Sequence, residues 1–417
     1  MRQSKFAITL LAAAMVAGCG GSGSTGGSQV LKLKYSSQVS FGDSLSDVGT
    51  YAVGTVKALG GGKFTVNDVD STGVNASKNW TELMAAQFGL PAPCPALTGL
   101  DGSAAQGFSV PATTHAGCTG YGMGGSRVTN PVGPGNKLLG GSNALLGQLT
   151  IPVATQIQNH LAVSGGSFSG TEIVFVMAGG NDALMGLAGL SAGATAAATA
   201  AVTAAVPNQI AADIAAGTCT PTDAQATNCQ AAAVAKLTPT VGLNAAGTYV
   251  QTNAPGVVAA MGNAGTELAN LVKTQIVAKG ANYVTVVNLP DLSTTPYALA
   301  QSASTQALVK QMVNTFNDQL KAGLAAESKV LIVDAYTVSR DQSTNPGPYG
   351  LTNTTVPACN LAAPTNPLGV SLTCNKNNAI AGDISHYMFA DTVHPTPYAN
   401  LLLARYVSEK MAEKGWL

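Results

Sequence analysis

Residues 171–182 read TEIVFVMAGGND, and this stretch decides the fold class. Its apolar, largely β-branched run ends at two glycines, which is typical of a strand buried on both faces of a parallel sheet. The stretches ANYVTVVNLP (281–290) and SKVLIVDAY (328–336) have the same character, and SSQVSF (36–41) reads as a shorter strand. The pattern therefore predicts a mostly parallel sheet.

Helical segments alternate with these strands. NWTELMAAQFGLP (79–91) predicts an amphipathic helix that glycine and proline stop, and residues 304–327 and 396–416 also have helical spacing. Alternating β and α elements imply helices on both faces of the sheet. In such sheets ligands bind beyond the carboxyl ends of the strands, so we expect reactive side chains directly after strands.

Polar residues do follow the predicted strands. FGDSLSDVGTY (41–51) places Ser44 in a sharp, glycine-started turn, where its Oγ can be exposed and its N–H can face an oxyanion. Asn181 lies at the carboxyl end of the strand predicted within 171–180. The simpler interpretation of Asn181 is that it belongs to a turn in which Asp182 caps the following helix. Ser44 could likewise be a capping serine in an ordinary loop.

A third stretch, YMFADTVHPTPYAN (387–400), holds Asp391 and His394 three residues apart. That spacing lets the carboxylate accept from the imidazole Nδ1–H and leaves Nε2 free to take a serine proton. The alternative is a turn-capping Asp391 beside a surface His394. The other histidines are weaker bases, because His160 is predicted on a helix, His115 in a Thr-rich loop, and His386 has only Asp383 nearby.

Taken in order, FGDSLSD, GYGMGGSRV, GGND and DTVHPT resemble the GDSL esterase/lipase family of the SGNH hydrolase superfamily, in its bacterial secreted and lipoprotein branch. The resemblance runs from about residue 37 to the C-terminus. It strengthens the expectation of a flavodoxin-like three-layer α/β/α sandwich with a central parallel sheet of about five strands. No GxSxG elbow is present, so an α/β-hydrolase fold is less favoured.

The resemblance implies a serine ester hydrolase that works through an acyl-enzyme, without metal or cofactor. Ser44 would be the nucleophile, His394 the base and Asp391 its orienting partner. The oxyanion hole would be formed by the N–H groups of Ser44 and Gly125 and the Asn181 amide. Gly125 is preferred to its neighbour because it ends the glycine pair of MGGSR, where the family carries GGA. Two departures from the commoner family residues, at Gly122 and Ser126, leave the register of that loop open.

The N-terminus predicts export. Arg2 and Lys5 precede an uncharged run that is too short to span a membrane, so residues 1–18 read as a signal peptide. Val-Ala-Gly before Cys19 resembles a lipobox, which makes Cys19 the lipidation site, with an ordinary cleavage site as the alternative. The Gly/Ser-rich stretch 19–34 predicts a tether. Gly20, rather than Asp, directly after the cysteine favours onward transport to the outer membrane, with secretion as the alternative location.

The remaining six cysteines are even in number, as expected for disulfides in an exported chain. Sequence alone allows fifteen connectivities, but local couples favour three pairs: Cys94–Cys118, Cys219–Cys229 and Cys359–Cys374. Their spacings are unlike those of zinc ligands, so no metal site is expected.

Composition limits the partners. Twenty basic and twenty acidic residues cancel, which argues against nucleic-acid binding. Residues 35–417 are predicted to form one catalytic domain with an Ala/Gly-rich insertion at about 186–265, which either covers an acyl pocket or is a remote decoration. Its low charge and the presence of only two tryptophans favour a lipid-type ester. The alternatives are a carbohydrate O-deacetylase and a non-catalytic surface lipoprotein.

Overall fold

The computed structural model describes residues 33–220, 223–362 and 364–417. Cys19, the predicted signal peptide and nearly all of the predicted tether lie outside the described residues. Within them the strands are β1 (Gln38–Gly42), β2 (Leu97–Asp101), β3 (Ser109–Thr114), β4 (Ile173–Met177), β5 (Tyr283–Val287) and β6 (Val330–Val333).

The α-helices alternate with these strands along the chain. They are α1 (Gly54–Ala58), α2 (Trp80–Gln87), α3 (Gly141–Leu146), α4 (Val153–Val163), α5 (Gly180–Ala215), α6 (Asp223–Leu237), α7 (Leu243–Leu271), α8 (Pro296–Leu299), α9 (Ala303–Leu324), α10 (Ala335–Thr344) and α11 (Pro397–Glu413). The segments 79–91, 304–327 and 396–416 that the sequence predicted as helical correspond to α2, α9 and α11.

A parallel sheet in the order β1-β4-β5-β6 forms the centre of the fold. All five residues of β4 are buried, and alternate side chains enter different clusters. Val174 and Val176 pack with α4, α5, α7 and α9, whereas Phe175 packs with α2 and α11 on the other face. This alternation across a strand covered on both faces produces the predicted three layers.

The prediction of about five strands differs from the four that the described residues form. The segment 119–123 runs beside β1 in the fifth position, with Ser40 donating to the Thr119 carbonyl and Tyr121 donating back to Ser40. It makes only a single parallel bridge to β1, at Gly120. Counted as a strand, this segment gives the order 2-1-3-4-5, which is that of flavodoxin-like folds.

Close packing explains why the segment does not extend into a regular strand. A Cβ built on Gly120 would lie 2.8 Å from the Cys94 carbonyl oxygen, and one built on Gly122 would lie 2.8 Å from that of Ser46. Only glycine allows the neighbouring backbone to approach this closely, and glycine weakens a strand. Gly120 and Gly122 therefore favour close contact with neighbouring loops over further hydrogen-bond pairing with β1.

The predicted insertion is a helical extension formed by α5, α6 and α7, in which π-helical turns at Thr238–Gly242 join α6 to α7. At 36 residues, α5 is about 54 Å long. A small cluster of its own, formed by Val202, Val206, Ala233 and Leu237, holds the distal part together. An 18-residue window of α5 reaches a mean hydropathy of 1.4, enough by length and composition for a membrane span, but the helix packs against α6 and α7.

Candidate active site

Ser44 lies in the tight turn that follows β1. The strand ends at Gly42, whose φ of +155° and close approach to the Met177 carbonyl leave no room for a Cβ. Asp43 then caps a single 3-10 turn, Ser44–Ser46, by accepting from the Leu45 N–H. The turn directs the Ser44 side chain toward the carboxyl edge of the sheet, where the sequence predicted the chemistry.

The structure brings Ser44 together with His394 and Asp391. The His394 Nε2 lies 2.9 Å from the Ser44 Oγ, and its Nδ1 lies 2.7 Å from one Asp391 oxygen and 2.9 Å from the other. With Nδ1 protonated and bonded to the carboxylate, Nε2 is an acceptor aimed at the serine hydroxyl. The arrangement is a hydrogen-bonded Ser–His–Asp relay.

Asp391 is buried but strongly supported. Its oxygens accept from the N–H groups of Val393 and His394 on its own loop and from the Ser371 N–H of another loop. Burial alone would raise the pKa of Asp391, but the charge of His394 and the hydrogen bonds from His394, Ser371 and Val393 outweigh it and hold the pKa below its ordinary value. The carboxylate therefore stays ionised beside the imidazole.

A disulfide, Cys359–Cys374, ties the loop that carries Ser371 to the segment around Cys359, which is hydrogen-bonded to the Asp391 loop. The Cys359 N–H donates to the carbonyl of Ala390, next to Asp391. Asn67, which is 1 % exposed, donates through its amide to the carbonyls of both Ser371 and Cys374. The backbone donor of Ser371 is thus fixed from both sides.

Ser44, Gly125 and Asn181 line one cavity and carry three candidate N–H donors. In the described chain the N–H groups of Ser44 and Gly125 donate to no protein acceptor, whereas the N–H of Gly124 is bound to Asp47 at 2.9 Å. Gly125, with φ of +78°, lines the same cavity as Ser44. The Asn181 amide donates to the Ser126 carbonyl at 2.8 Å and also lines that cavity. A developing oxyanion beside Ser44 could accept from these groups.

An ion pair fixes the start of α5. Asp182, in the first turn of α5, accepts from the Arg127 Nε at 2.9 Å and from the Val128 N–H at 3.0 Å. Burial raises the pKa of Asp182, and the charge of Arg127 opposes this shift. The pair joins the glycine loop to the helix that carries Asn181. Asp182 does not cap that helix, contrary to what the sequence suggested, because the N-cap is Gly179 and the Asp182 oxygens are bound to Arg127 and Val128 instead.

A cavity of about 290 Å³ opens at Ser44. One wall comes from α5 and α9. It includes Ala183, Leu187 and Val309, which belong to the main core, together with Leu184. The opposite wall belongs to a separate cluster and includes Phe64, Leu145, Leu146, Leu368 and Val370. The cavity is therefore a mainly apolar cleft between two packed bodies.

The other sequence candidates lie elsewhere. His160 packs against Phe168, His115 is hydrogen-bonded to the Thr98 hydroxyl, and His386 packs on the ring of Tyr398.

The structure contains the disulfides Cys94–Cys118 and Cys219–Cys229 as well as Cys359–Cys374. Across residues 33–220, 223–362 and 364–417, no cluster of three His, Cys, Asp or Glu side chains could hold a metal ion.

Sequence reasoning missed several supporting residues. Asp47 accepts from the Gly49, Thr50 and Gly124 N–H groups and so joins the Ser44 turn to the glycine loop. Its place at the end of the FGDSLSD stretch was an available signal. The sequence signal for Ser371 was weaker, since it is only that Ser371 lies three residues before a paired cysteine. No sequence signal pointed to Gln156 on α4.

The parallel three-layer sheet and the hydrogen-bonded Ser44, His394 and Asp391 define a class of α/β protein in which a serine paired with a histidine follows the first strand. Residues 39–407 match the family model described as GDSL-like Lipase/Acylhydrolase, and the chain belongs to that family. The family predicted from FGDSLSD and the three later motifs is confirmed.

Curated relatives match over shorter regions. The chain is 26% identical over 164 residues to GDSL esterase/lipase At1g58430 of Arabidopsis thaliana, covering 36% of this chain and 43% of that protein. It is 28% identical over 141 residues to GDSL esterase/lipase APG of the same plant, covering 31% and 39%. The chain thus spans about two fifths of the length of these relatives, whose names designate hydrolases of ester bonds. Being plant proteins, they do not bear on the predicted bacterial lipoprotein branch.

Proposed function

We propose that this protein is a serine ester hydrolase in which Ser44 is the nucleophile, His394 the general base and Asp391 its orienting partner. The observation that carries the proposal is the continuous hydrogen-bonded path from Asp391 through His394 to the Ser44 Oγ. A surface lipoprotein that only binds ligand would not need this path, because ligand binding requires no acceptor for the Ser44 hydroxyl proton.

The mechanism follows from the positions of these groups. His394 Nε2 removes the Ser44 proton as Oγ attacks the ester carbonyl, and the ionised Asp391 stabilises the imidazolium that forms. The oxygen that becomes negative is held by the Ser44 and Gly125 N–H groups and the Asn181 amide, each worth about 3 kcal/mol in the transition state. His394 then protonates the leaving alcohol, and water repeats the sequence on the acyl-enzyme.

The cleft supports an ester with an apolar acyl chain. Its walls from α5 and α9 are aliphatic, as binding of a hydrocarbon chain requires. A carbohydrate O-deacetylase would need exposed aromatic surfaces for sugar rings, but Trp80 is 0% and Trp416 8% exposed. We therefore infer a lipid-type carboxylester substrate in preference to a polysaccharide.

A panel of p-nitrophenyl esters of increasing acyl length, with acetyl-xylan and phosphatidylcholine alongside, tests this function. We expect turnover of esters with apolar acyl chains, and covalent labelling of Ser44 by a fluorophosphonate probe that Ser44→Ala abolishes. A folded Ser44→Ala protein with wild-type turnover would exclude the assignment. A wild type that is inactive on every ester and unlabelled would favour the binding-protein alternative.

We also propose that the protein is exported and attached to the outer membrane through acylated Cys19. The three disulfides support an oxidising compartment. In a bacterial host, Cys19→Ser should release the protein from membranes or block its processing. Detergent phase partitioning measures this, and a wild type found wholly in the aqueous phase would contradict the lipid anchor.

A further inference from the structure

Gln156 lies in the first turn of α4, and its side chain is 1% exposed. We propose that it is a positioning residue of the oxyanion hole, which holds the nucleophile turn and the glycine loop in one fixed geometry. This inference rests on the proposed function, because it concerns the same reaction. Gln156 does not line the cleft at Ser44 and so acts through other residues.

Its first set of contacts fixes the end of β1. The Gln156 Oε1 accepts from the Gly42 N–H at 2.9 Å, and its Nε2 donates to the Gly42 carbonyl at 2.8 Å. Both backbone groups of one glycine are thus paired with one side-chain amide. Because Ser44 follows Gly42 by two residues, this pair sets where the Ser44 N–H and Oγ lie.

The second set of contacts fixes the glycine loop. The Gln156 Nε2 lies 3.1 Å from the Ser126 Oγ and 2.9 Å from the Ile151 carbonyl, to which the Ser126 hydroxyl itself donates. Ser126 directly follows Gly125, and its carbonyl accepts the Asn181 amide at 2.8 Å. All three oxyanion donors are therefore connected to Gln156 through Gly42 or Ser126.

A single buried amide that spans these segments has a predictable kinetic effect. Oxyanion donors act only if they are held at hydrogen-bond distance from the oxygen that becomes charged, and small displacements lose much of that stabilisation. The ground-state contacts of the acyl chain are made by the cleft walls, which Gln156 does not form. Loss of the amide should therefore lower kcat and leave KM nearly unchanged.

The experiment compares Gln156→Leu and Gln156→Glu with Gln38→Leu in the full-length protein. Gln38 is a matched control, because it is also buried, lies on β1, and donates to the Thr81 carbonyl away from the site. Gln156→Glu keeps the size and the acceptor for the Gly42 N–H but loses the donated bonds, so it serves if the leucine variant does not fold. We measure kcat, KM, melting temperature and the Ki of a trifluoromethyl ketone, which forms a tetrahedral adduct on the nucleophile.

We expect kcat to fall about 10- to 100-fold in both Gln156 variants, with KM within about twofold and the ketone Ki raised by the same factor as kcat falls. Gln38→Leu should lose melting temperature but keep kcat and Ki. Gln156 variants that fold with wild-type kcat and Ki would overturn the inference, as would equal kinetic losses in Gln38→Leu. These outcomes differ from failure of the proposed function, in which the wild type itself neither turns over esters nor binds the ketone.

Discussion

At the scale of single residues, two acidic side chains near Ser44 have opposite protonation behaviour. Asp391 accepts several N–H groups and the imidazole, which together hold its pKa below the ordinary value despite burial. Asp43 accepts only from the Leu45 N–H, and burial raises the pKa of Asp43 to about 7 against that bond and the charge of His394. At Asp391 the charge of His394 and the surrounding hydrogen bonds outweigh burial, whereas at Asp43 burial, with the charge of Asp182 added to it, outweighs the Leu45 bond and the charge of His394.

Asp391→Asn should leave a folded protein with kcat reduced about 10³- to 10⁴-fold and KM nearly unchanged. The amide cannot accept in the same way from the Nδ1–H, so the imidazole is held in the wrong tautomer while Ser44 remains in place. Steady-state kinetics measure the loss, and circular dichroism controls for folding. A variant with more than a tenth of wild-type kcat would show that Asp391 does not orient His394.

Asp43→Asn should make stability less dependent on pH. Between pH 3.8 and about 7 the folded wild type keeps the Asp43 proton while the unfolded chain loses it, so its free energy of unfolding falls as the pH rises through this range. Asparagine keeps the acceptor for the Leu45 N–H and has no proton to lose. Denaturant unfolding should give the variant and the wild type the same free energy of unfolding near pH 4. At pH 8 the value for the variant should be higher by roughly 1 to 4 kcal/mol. A difference that is constant with pH contradicts this prediction.

At the scale of elements, the site depends on loops held by cross-links and on one wall supplied by α5. The cleft receives Ala183, Leu184 and Leu187 from the first two turns of α5, and no residue beyond Leu187 of the described part of the insertion lines it. The insertion was predicted either to cover the acyl pocket or to be remote. The first turns of α5 form one wall of the cleft. The distal part of the insertion is remote from the cleft, because α5 runs away from the sheet.

Leu187→Trp should shorten the accepted acyl chain. The larger side chain would fill space between α5 and α9, so kcat/KM for long-chain esters should fall about tenfold or more, with acetyl esters affected little. Leu190→Trp is the control, since Leu190 is also buried on α5 but lines a different cavity. The ester panel measures the profile, and an unchanged preference in Leu187→Trp would remove α5 from the acyl-binding wall.

Replacing Cys359 and Cys374 by serine should lower kcat about tenfold, because the Ser371 N–H would no longer be held against Asp391. The matched control replaces Cys219 and Cys229, which close a loop of similar length at the end of the helical extension. Each pair should contribute about 3 kcal/mol to stability, so both double variants should melt earlier. Only the first should lose kcat, and equal kinetic effects would contradict the role of the Ser371 loop.

At the scale of the whole molecule, the distal part of the helical extension, residues 199–241, has an apolar cluster of its own, whereas the proximal parts of α5 and α7 belong to the main core. Gly242 lies against Ala198, with a Cβ built on Gly242 only 3.9 Å from the Ala198 Cβ. A short Gly-Ser link between them would remove residues 199–241 with their own cluster. Because the cleft ends at Leu187, the shortened protein should keep the acyl-length profile of the wild type. A changed profile in a protein that still folds would mean that the distal helices act on the cleft.

The sequence predicted the parallel sheet and indicated Ser44, Asp391 and His394 as site candidates, because both have local signatures. The runs at β4, β5 and β6 are continuous and apolar, and Asp391 and His394 are three residues apart. The fifth strand position, at 119–123, was harder to predict from the sequence. Its two glycines allow close packing against other loops and limit its hydrogen-bond pairing with β1. Gln156 and Ser371 act through contacts between segments far apart in the chain, on which a single sequence carries no periodic signal.

The Ser44–His394 hydrogen bond joins residues 350 positions apart. Synthesis proceeds from the N-terminus, so Ser44 is made almost a full chain length before His394. Until residue 394 has been made and has packed against the turn after the first strand, Ser44 has no imidazole to accept its hydroxyl proton. If the proposed function holds, the order of residues therefore keeps an incomplete chain from cleaving esters.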